Sequence, residues 1–313
     1  MSGLHHVTAI AGPAQRNFDF YARTLGLRLV KKTVNFDDPT TYHLYFGDEA
    51  GSPGTILTYF PWASAAPGRL GIGETEETRL RVPASSIGYW THRFVAHGVD
   101  HGPIEKRFGT SALPFRDPTG MRLALVGVAG IEGEPAWSAD VAAENAIRGL
   151  HGVSLMLGDA RPTAAILTDI FGLEEVGREG AVTRLKGTAA VGGVIDLHQA
   201  GGFLPARLGA GSVHHIAFRA ADDAAQAAMV KKLADNHGLH TTEQKDRNYF
   251  RSVYFREPGH VLFEIATDIP GFAADEPADA LGQALKLPSF LEKRRAELEA
   301  KLPTLDTVAT RAA

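Results

Sequence analysis

Three short apolar segments of this chain open alike, and that recurrence constrains the fold more than any other feature. They are Gly3-Leu4-His5-His6-Val7-Thr8, Gly149-Leu150-His151-Gly152-Val153-Ser154 and Val213-His214-His215-Ile216-Ala217. Internal self-similarity means that one supersecondary unit has been used repeatedly. After the first segment, Phe18, Tyr21, Ala22 and Leu25 recur at helical spacing within 14–25, and Gly26 follows as a stop. The third unit repeats this with 162–171 and Gly172-Leu173, the fourth with 221–236 and Gly238-Leu239. A weaker second copy has a strand over 78–82, a helix over 86–97, a stop at Gly98 and closing strands over 115–126. Its turn Arg116-Asp117-Pro118-Thr119-Gly120 matches Arg256-Glu257-Pro258-Gly259 in the fourth unit, each followed by a β-rich run. The spacing therefore predicts an α+β chain of four βαβββ modules. Two modules fall in 1–130 and two in 147–270, separated by a Gly-, Glu-, Pro- and Ala-rich linker over 131–146. A tail over 271–313 carries one predicted helix, 289–301, with Phe290, Leu291 and Leu298 facing inward, as a packed helix or a lid.

Composition excludes several classes of function. The net charge of −4 comes without a long block of either sign, so neither nucleic acid nor an anionic membrane is an expected partner. No apolar run approaches the roughly 18 residues needed to cross a bilayer, and no basic stretch leading into an apolar core opens the chain, so a cytoplasmic protein is expected. With no cysteine, disulfides, thiolate ligands and cysteine nucleophiles are all ruled out.

Aligning the modules separates candidate ligands from ordinary histidines. His6 and His215 hold the second position of their pairs, where the third module has Gly152. Glu264 stands in an otherwise apolar strand, six residues after Pro258; six after Pro118 the second module has Ala124. A buried carboxylate needs a partner, and two imidazoles with one carboxylate form the facial triad of non-haem iron(II) oxygenases, which leaves coordination positions open. His151 aligns with His5 and His214, a non-ligand position. His92, His97 and His101 read as exposed and His43 as structural; Asp196 and His198 lack a histidine partner at Gly152 for a second metal site. No phosphate-loop pattern occurs among the glycines.

The residues Leu4-His5-His6-Val7-Thr8, Tyr42-His43-Leu44-Tyr45-Phe46, Gly51-Ser52-Pro53-Gly54-Thr55, Val213-His214-His215-Ile216-Ala217-Phe218, and Arg247 with Tyr254-Phe255-Arg256 carry a resemblance running from residue 3 to the tail. The chain resembles the vicinal oxygen chelate superfamily of glyoxalases, bleomycin-resistance proteins and extradiol dioxygenases. Within it, it looks like the ring-cleaving hydroquinone 1,2-dioxygenases that act on dichloro- and methylhydroquinone. The resemblance implies two half-barrel domains, 1–130 and 147–270, each a pair of modules curled into a cup. It also implies His6, His215 and Glu264 as ligands to Fe(II), with Mn(II) as the alternative, and an aromatic substrate and O2 as reactants. His5, Thr8, His214, Arg247 and Tyr254 are implied near the substrate, and self-association into a homo-oligomer stays open. Strand alternation puts Thr8 on the face of His6 but turns His5 and His214 away, unless a bulge re-aims them. The rival readings are a metal-dependent isomerase of the glyoxalase type, expected to need a second carboxylate, and a binding protein without catalysis.

Overall fold

The computed structural model describes residues 2–307. Four modules are present, each a strand, a helix and three further strands. The first comprises β1 (Leu4–Ala11), α1 (Ala14–Phe18, continuing as a π-helix over Asp19–Thr24), β2 (Arg28–Val34), β3 (Tyr42–Gly47) and β4 (Ile56–Pro61). The second has β5 (Glu74–Pro83), α2 (Ile87–Ala96), β6 (Glu105–Arg107), β7 (Thr110–Arg116) and β8 (Arg122–Val128). The third has β9 (Leu150–Leu157), α3 (Arg161–Asp169), β10 (Glu174–Glu179), β11 (Val182–Lys186) and β12 (Val194–Gln199). The fourth has β13 (Val213–Ala220), α4 (Asp223–His237), β14 (Lys245–Asp246), β15 (Arg251–Arg256) and β16 (Leu262–Thr267).

Local chemistry accounts for these bounds. The Asp222 carboxylate caps α4 by accepting from Ala225 N–H at 2.8 Å, and Gly238 ends it in the left-handed conformation at φ 62°. In the matched turns, Asp117 Oδ1 accepts from the N–H groups of Thr119 and Met121, and Glu257 does the same for Gly259 and Val261. One carboxylate thus shapes each hairpin that leads into the last strand of its module.

The strands form two eight-stranded sheets, ordered β14-β15-β16-β13-β1-β4-β3-β2 and β10-β11-β12-β9-β5-β8-β7-β6. The two modules within 1–130 therefore lie in different sheets, as do the two within 147–270, contrary to the expectation that each of these stretches would curl its own. Module one joins module four through antiparallel β1 and β13, and module two joins module three through β5 and β9. The four opening strands are so alike in apolar pattern that nothing local specifies which two should pair. The predicted helix in the tail is also shorter than expected. A 3₁₀ turn covers Glu292–Arg294 and α5 only Arg295–Lys301; Leu291 and Leu298 are buried, but Phe290 is 64% exposed.

Both sheets carry the same irregularity. The ladder shifts between Leu4 and His6 and between Thr8 and Ala9 on one side, and between Thr75 and Glu77 and between Arg79 and Leu80 on the other. His5, His214, Glu76 and His151 are thereby the extra residues of four equivalent bulges. In the second sheet the cup is filled by ions. Arg184 grips Asp196 with two bonds of 2.7 and 2.8 Å, and buried Arg79 bonds the same carboxylate and Val153 O. Gly152 accepts no side chain there, since a Cβ would lie 1.8 Å from Val194 O. His151 Nδ1 consequently has no hydrogen-bond partner, and burial, with Arg79 next in weight, pulls its imidazole from 6.5 to about 3. Between those two values the unfolded chain takes up a proton that the folded chain refuses, so His151 makes stability fall as pH drops through that window. The His151→Gln variant should show a shallower loss of stability over the same window in urea unfolding; an unchanged slope would contradict this assignment.

Candidate metal centre

In the first sheet the two bulges act on histidine pairs. Each extra residue turns its ring back toward its neighbour, so that His5 Nδ1 lies 2.9 Å from His6 Nδ1 and His214 Nδ1 lies 2.8 Å from His215 Nδ1. With their Nδ1 atoms occupied, His6 and His215 present Nε2 to a common point. That point is the Glu264 carboxylate: Oε2 is 2.9 Å from His215 Nε2 and 3.4 Å from His6 Nε2. The two histidines come from adjacent strands, β1 and β13, and Glu264 from β16 beside β13, in register with Ala217. One ligand atom from each residue falls within 4.8 Å of the others.

The electrostatics of this cluster are incomplete without a cation. Glu264 is fully buried; Ser252 Oγ donates to Oε1, while Oε2 makes no hydrogen bond of normal geometry. Burial alone would raise its carboxyl, but the facing His6 and His215 outweigh that and hold it well below the usual carboxylate range. Burial in turn keeps His215 below the ordinary imidazole value, and His214 at about 4. An ionised carboxylate buried this deeply costs several kcal/mol unless positive charge lies against it, and its Oε2 faces the Nε2 atoms of His6 and His215. A divalent cation held by two imidazoles and a carboxylate removes that penalty, so the donor set fits a first-row metal.

The cluster lies in the wall of a cavity of about 330 Å³. Phe36, Phe60, Trp62 and Phe250 give it aromatic walls, and Arg247 and Tyr254 supply polar groups. Arg247 Nε donates to Tyr254 OH at 3.3 Å, its Nη2 lies 3.4 Å from Asp37 Oδ2, and its guanidinium sits 6.0 Å from the Phe36 ring. Burial, foremost, raises the Tyr254 phenol and keeps it protonated; its ring meets that of His215 edge-on at 5.6 Å.

The structure thus brings His6, His215, Glu264, His214, Arg247 and Tyr254 together around the cavity. His5 stands one layer behind, against Phe250 at 5.1 Å between ring centres. Thr8 does not line the cavity; it is fully buried and bonds Thr58 Oγ1 at 3.0 Å. His43, read from sequence as structural, is a lining residue. Strand alternation linking His43 to Tyr45 was the available signal, but a mixed strand does not say which face is the cup. No tail residue lines the cavity among those described, although Phe290 meets Phe36 at its rim at 5.8 Å and Phe272 packs on Tyr45 at 5.1 Å.

Comparison with known proteins gives this geometry a lineage. The model of the Glyoxalase/Bleomycin resistance protein/Dioxygenase superfamily matches residues 3–125 and 149–265. The chain belongs to this superfamily. It is 47% identical over 302 residues to a Bacillus subtilis protein named as ring-cleaving dioxygenase MhqO, covering 95% of this chain and 94% of that one. It is 35% identical over 309 residues to a chlorohydroquinone/hydroquinone 1,2-dioxygenase of Sphingobium indicum, covering 95% of both. A superfamily crystal structure from Bacillus subtilis, described as a dioxygenase, superposes with a TM-score of 0.94 at 45% identity over 98% of both chains. Glyoxalase I from Zea mays shares the fold, with a TM-score of 0.63 at 14% identity over 86% of this chain and 93% of that one.

The histidine pairs carry a direct expectation. Replacing His5 or His214 with Leu frees Nδ1 of the adjacent ligand and releases its ring, which should weaken metal binding by roughly 10–100-fold. Competition with a chromophoric chelator measures this; unchanged affinity in both variants would show that the paired rings do not position the ligands.

Proposed function

We propose that this chain is a metal-dependent ring-cleaving dioxygenase acting on hydroquinone-type aromatics with O2, with Fe(II) as its metal and Mn(II) as the alternative. The observation that carries the reading is the buried His6–His215–Glu264 cluster, its ligand atoms converging in the wall of an aromatic cavity. Its support from relatives is near-full-length similarity to proteins named as ring-cleaving and hydroquinone dioxygenases.

His6, His215 and Glu264 would hold the metal, which when bound supplies Lewis acidity toward a phenolic hydroxyl and open positions for hydroxyl and O2. The other residues have separable tasks. Phe36, Phe60, Trp62 and Phe250 enclose a single ring and exclude water. Arg247 places a cation over the same space, where it stabilises anionic oxygen during ring opening. Tyr254, protonated and bonded to Arg247, offers a hydroxyl beside His215 for proton transfer to or from a bound oxygen. His214, held at about 4, stays neutral at physiological pH and keeps the Nε2 of His215 free. A glyoxalase-type isomerase reading requires a second carboxylate ligand, and none joins the cluster among the described residues.

The test is to load the protein with Fe(II) without oxygen, add methyl- or chlorohydroquinone, admit O2 and follow its uptake. Uptake with a ring-opened product is expected, falling to background in His215→Ala, while Glu264→Ala should retain no iron after desalting. No uptake above the variant with hydroquinones and catechols, or an iron-replete and active Glu264→Ala protein, would overturn the reading.

A further inference from the structure

The sequence Tyr42-His43-Leu44-Tyr45-Phe46 has no part in the metal cluster, yet two of its side chains face the cavity. They end a chain of hydrogen bonds that begins beside the ligands. Thr8 Oγ1 lies 3.0 Å from Thr58 Oγ1, Thr58 Oγ1 lies 2.6 Å from His43 Nε2, and His43 Nδ1 lies 2.8 Å from Tyr45 Oη. The His43 ring is clamped between Tyr45 and Phe60, at 4.1 and 4.4 Å between centres.

The register explains where this chain leads. His215 pairs with Thr8, Thr8 with Thr58, and Thr58 with Tyr45, so one rung crosses β13, β1, β4 and β3 in a line. Three strand spacings make roughly 14 Å along a flat sheet. Tyr45 and His43 at one end of this rung line the same cavity as His6, His215 and Glu264 at the other.

The direction of the chain follows from satisfying buried donors. Thr8 is fully buried, and Thr58 is its one hydrogen-bond partner among the described residues, so its O–H points at Thr58. Thr58 then donates to His43 Nε2. Burial, foremost, holds His43 well below the ordinary imidazole value, so the ring is neutral and carries its single proton on Nδ1. That proton is donated to Tyr45 Oη, and the Tyr45 O–H has no acceptor among the described residues.

We propose that Tyr45, oriented by His43, Thr58 and Thr8, donates a hydrogen bond to a second, remote oxygen of the substrate and so selects para-dihydroxylated rings. A ring bound at His6, His215 and Glu264 through one oxygen directs a para oxygen toward the far wall. An ortho hydroxyl, as in a catechol, stays beside the first. The inference rests on the dioxygenase reading and names the specificity of that same site.

Anaerobic binding to the Zn(II)-loaded protein tests it without turnover, with the fluorescence of Trp62 in the cavity wall as readout. The probes are hydroquinone and 4-methylphenol, which share the metal-binding hydroxyl and differ in the remote oxygen. Wild type should prefer hydroquinone by about tenfold, the worth of one hydrogen bond. Tyr45→Phe should abolish the preference by weakening hydroquinone alone. Thr58→Val, matched in shape, should lose part of it and keeps the test standing if the first variant folds poorly. A preference unchanged in both variants, or equal binding of the two probes by wild type, overturns the inference and leaves the dioxygenase reading intact. Binding of neither probe by wild type overturns both.

Discussion

A carboxylate buried against two imidazoles is the constraint on which the rest of this structure depends. Glu264 sits in a strand whose neighbours are Phe263 and Ile265, fully enclosed, with one oxygen satisfied by Ser252 and the other facing two imidazoles. Such a group is tolerable when protonated or when a positive charge lies against it. The facing histidines favour its ionised form, and the resulting donor set of two imidazoles and a carboxylate fits a divalent cation. The enclosing core holds this geometry in place: Phe171 and Phe218 stack at 4.0 Å, and Phe263 packs on Phe218 at 5.0 Å beneath the ligand strands.

The second sheet shows the same scaffold solving the same electrostatic problem differently. Register places Gly152 where the first sheet has His6, Glu77 where it has His215 and Ala124 where it has Glu264. A further carboxylate, Asp196, lies on the strand equivalent to that of Thr58 and is neutralised by Arg79 and Arg184. Guanidinium forks fill the space a ligand would need, and the Val194 carbonyl blocks any side chain at Gly152. Bulges persist in both sheets, which marks them as properties of the fold; only one pair of bulges carries two histidines. Ion pairing turns one cup into core, whereas the other keeps a convergent set of candidate ligands.

Much of this was legible in the chain. The three alike openings and the weaker copy over 78–126 led to the module count, and His6, His215 and Glu264 stood out because their counterparts Gly152 and Ala124 break the repeat. Pairing of the sheets was not legible, since four opening strands of similar apolar character carry no local label for their partners. Nor was the aim of His5 and His214, because alternation assigns them to the wrong face and the correcting bulge belongs to the ladder between β1 and β13, not to either strand alone. His43 was passed over for a related reason. A histidine in a mixed strand becomes a cavity residue only when the curl of the sheet decides which face is concave. Helix 289–301 was overextended because the apolar spacing of Phe290 and Leu291 mimics a helical stripe, whereas Phe290 instead reaches Phe36 at the cavity rim.

The pairing that sequence could not assign is also what makes the site a late product of folding. His6 lies near one end of the chain and Glu264 near the other, and they meet only after β1 has found β13. Contacts of such sequence separation carry a large loop-closure cost and form slowly. The tail then secures the same sheet. Buried Lys31 on β2 bonds Asp275 at 2.6 Å and Glu276, and Phe272 wedges against Tyr249, behind the Phe250 ring that supports His5 and His6. The cavity is therefore bounded by modules one and four and braced by the segment that follows them. Modules two and three contribute a second cup that is already closed by its own ions. The candidate site therefore draws its ligand atoms from the two terminal modules, whose pairing brings His6, His215 and Glu264 together.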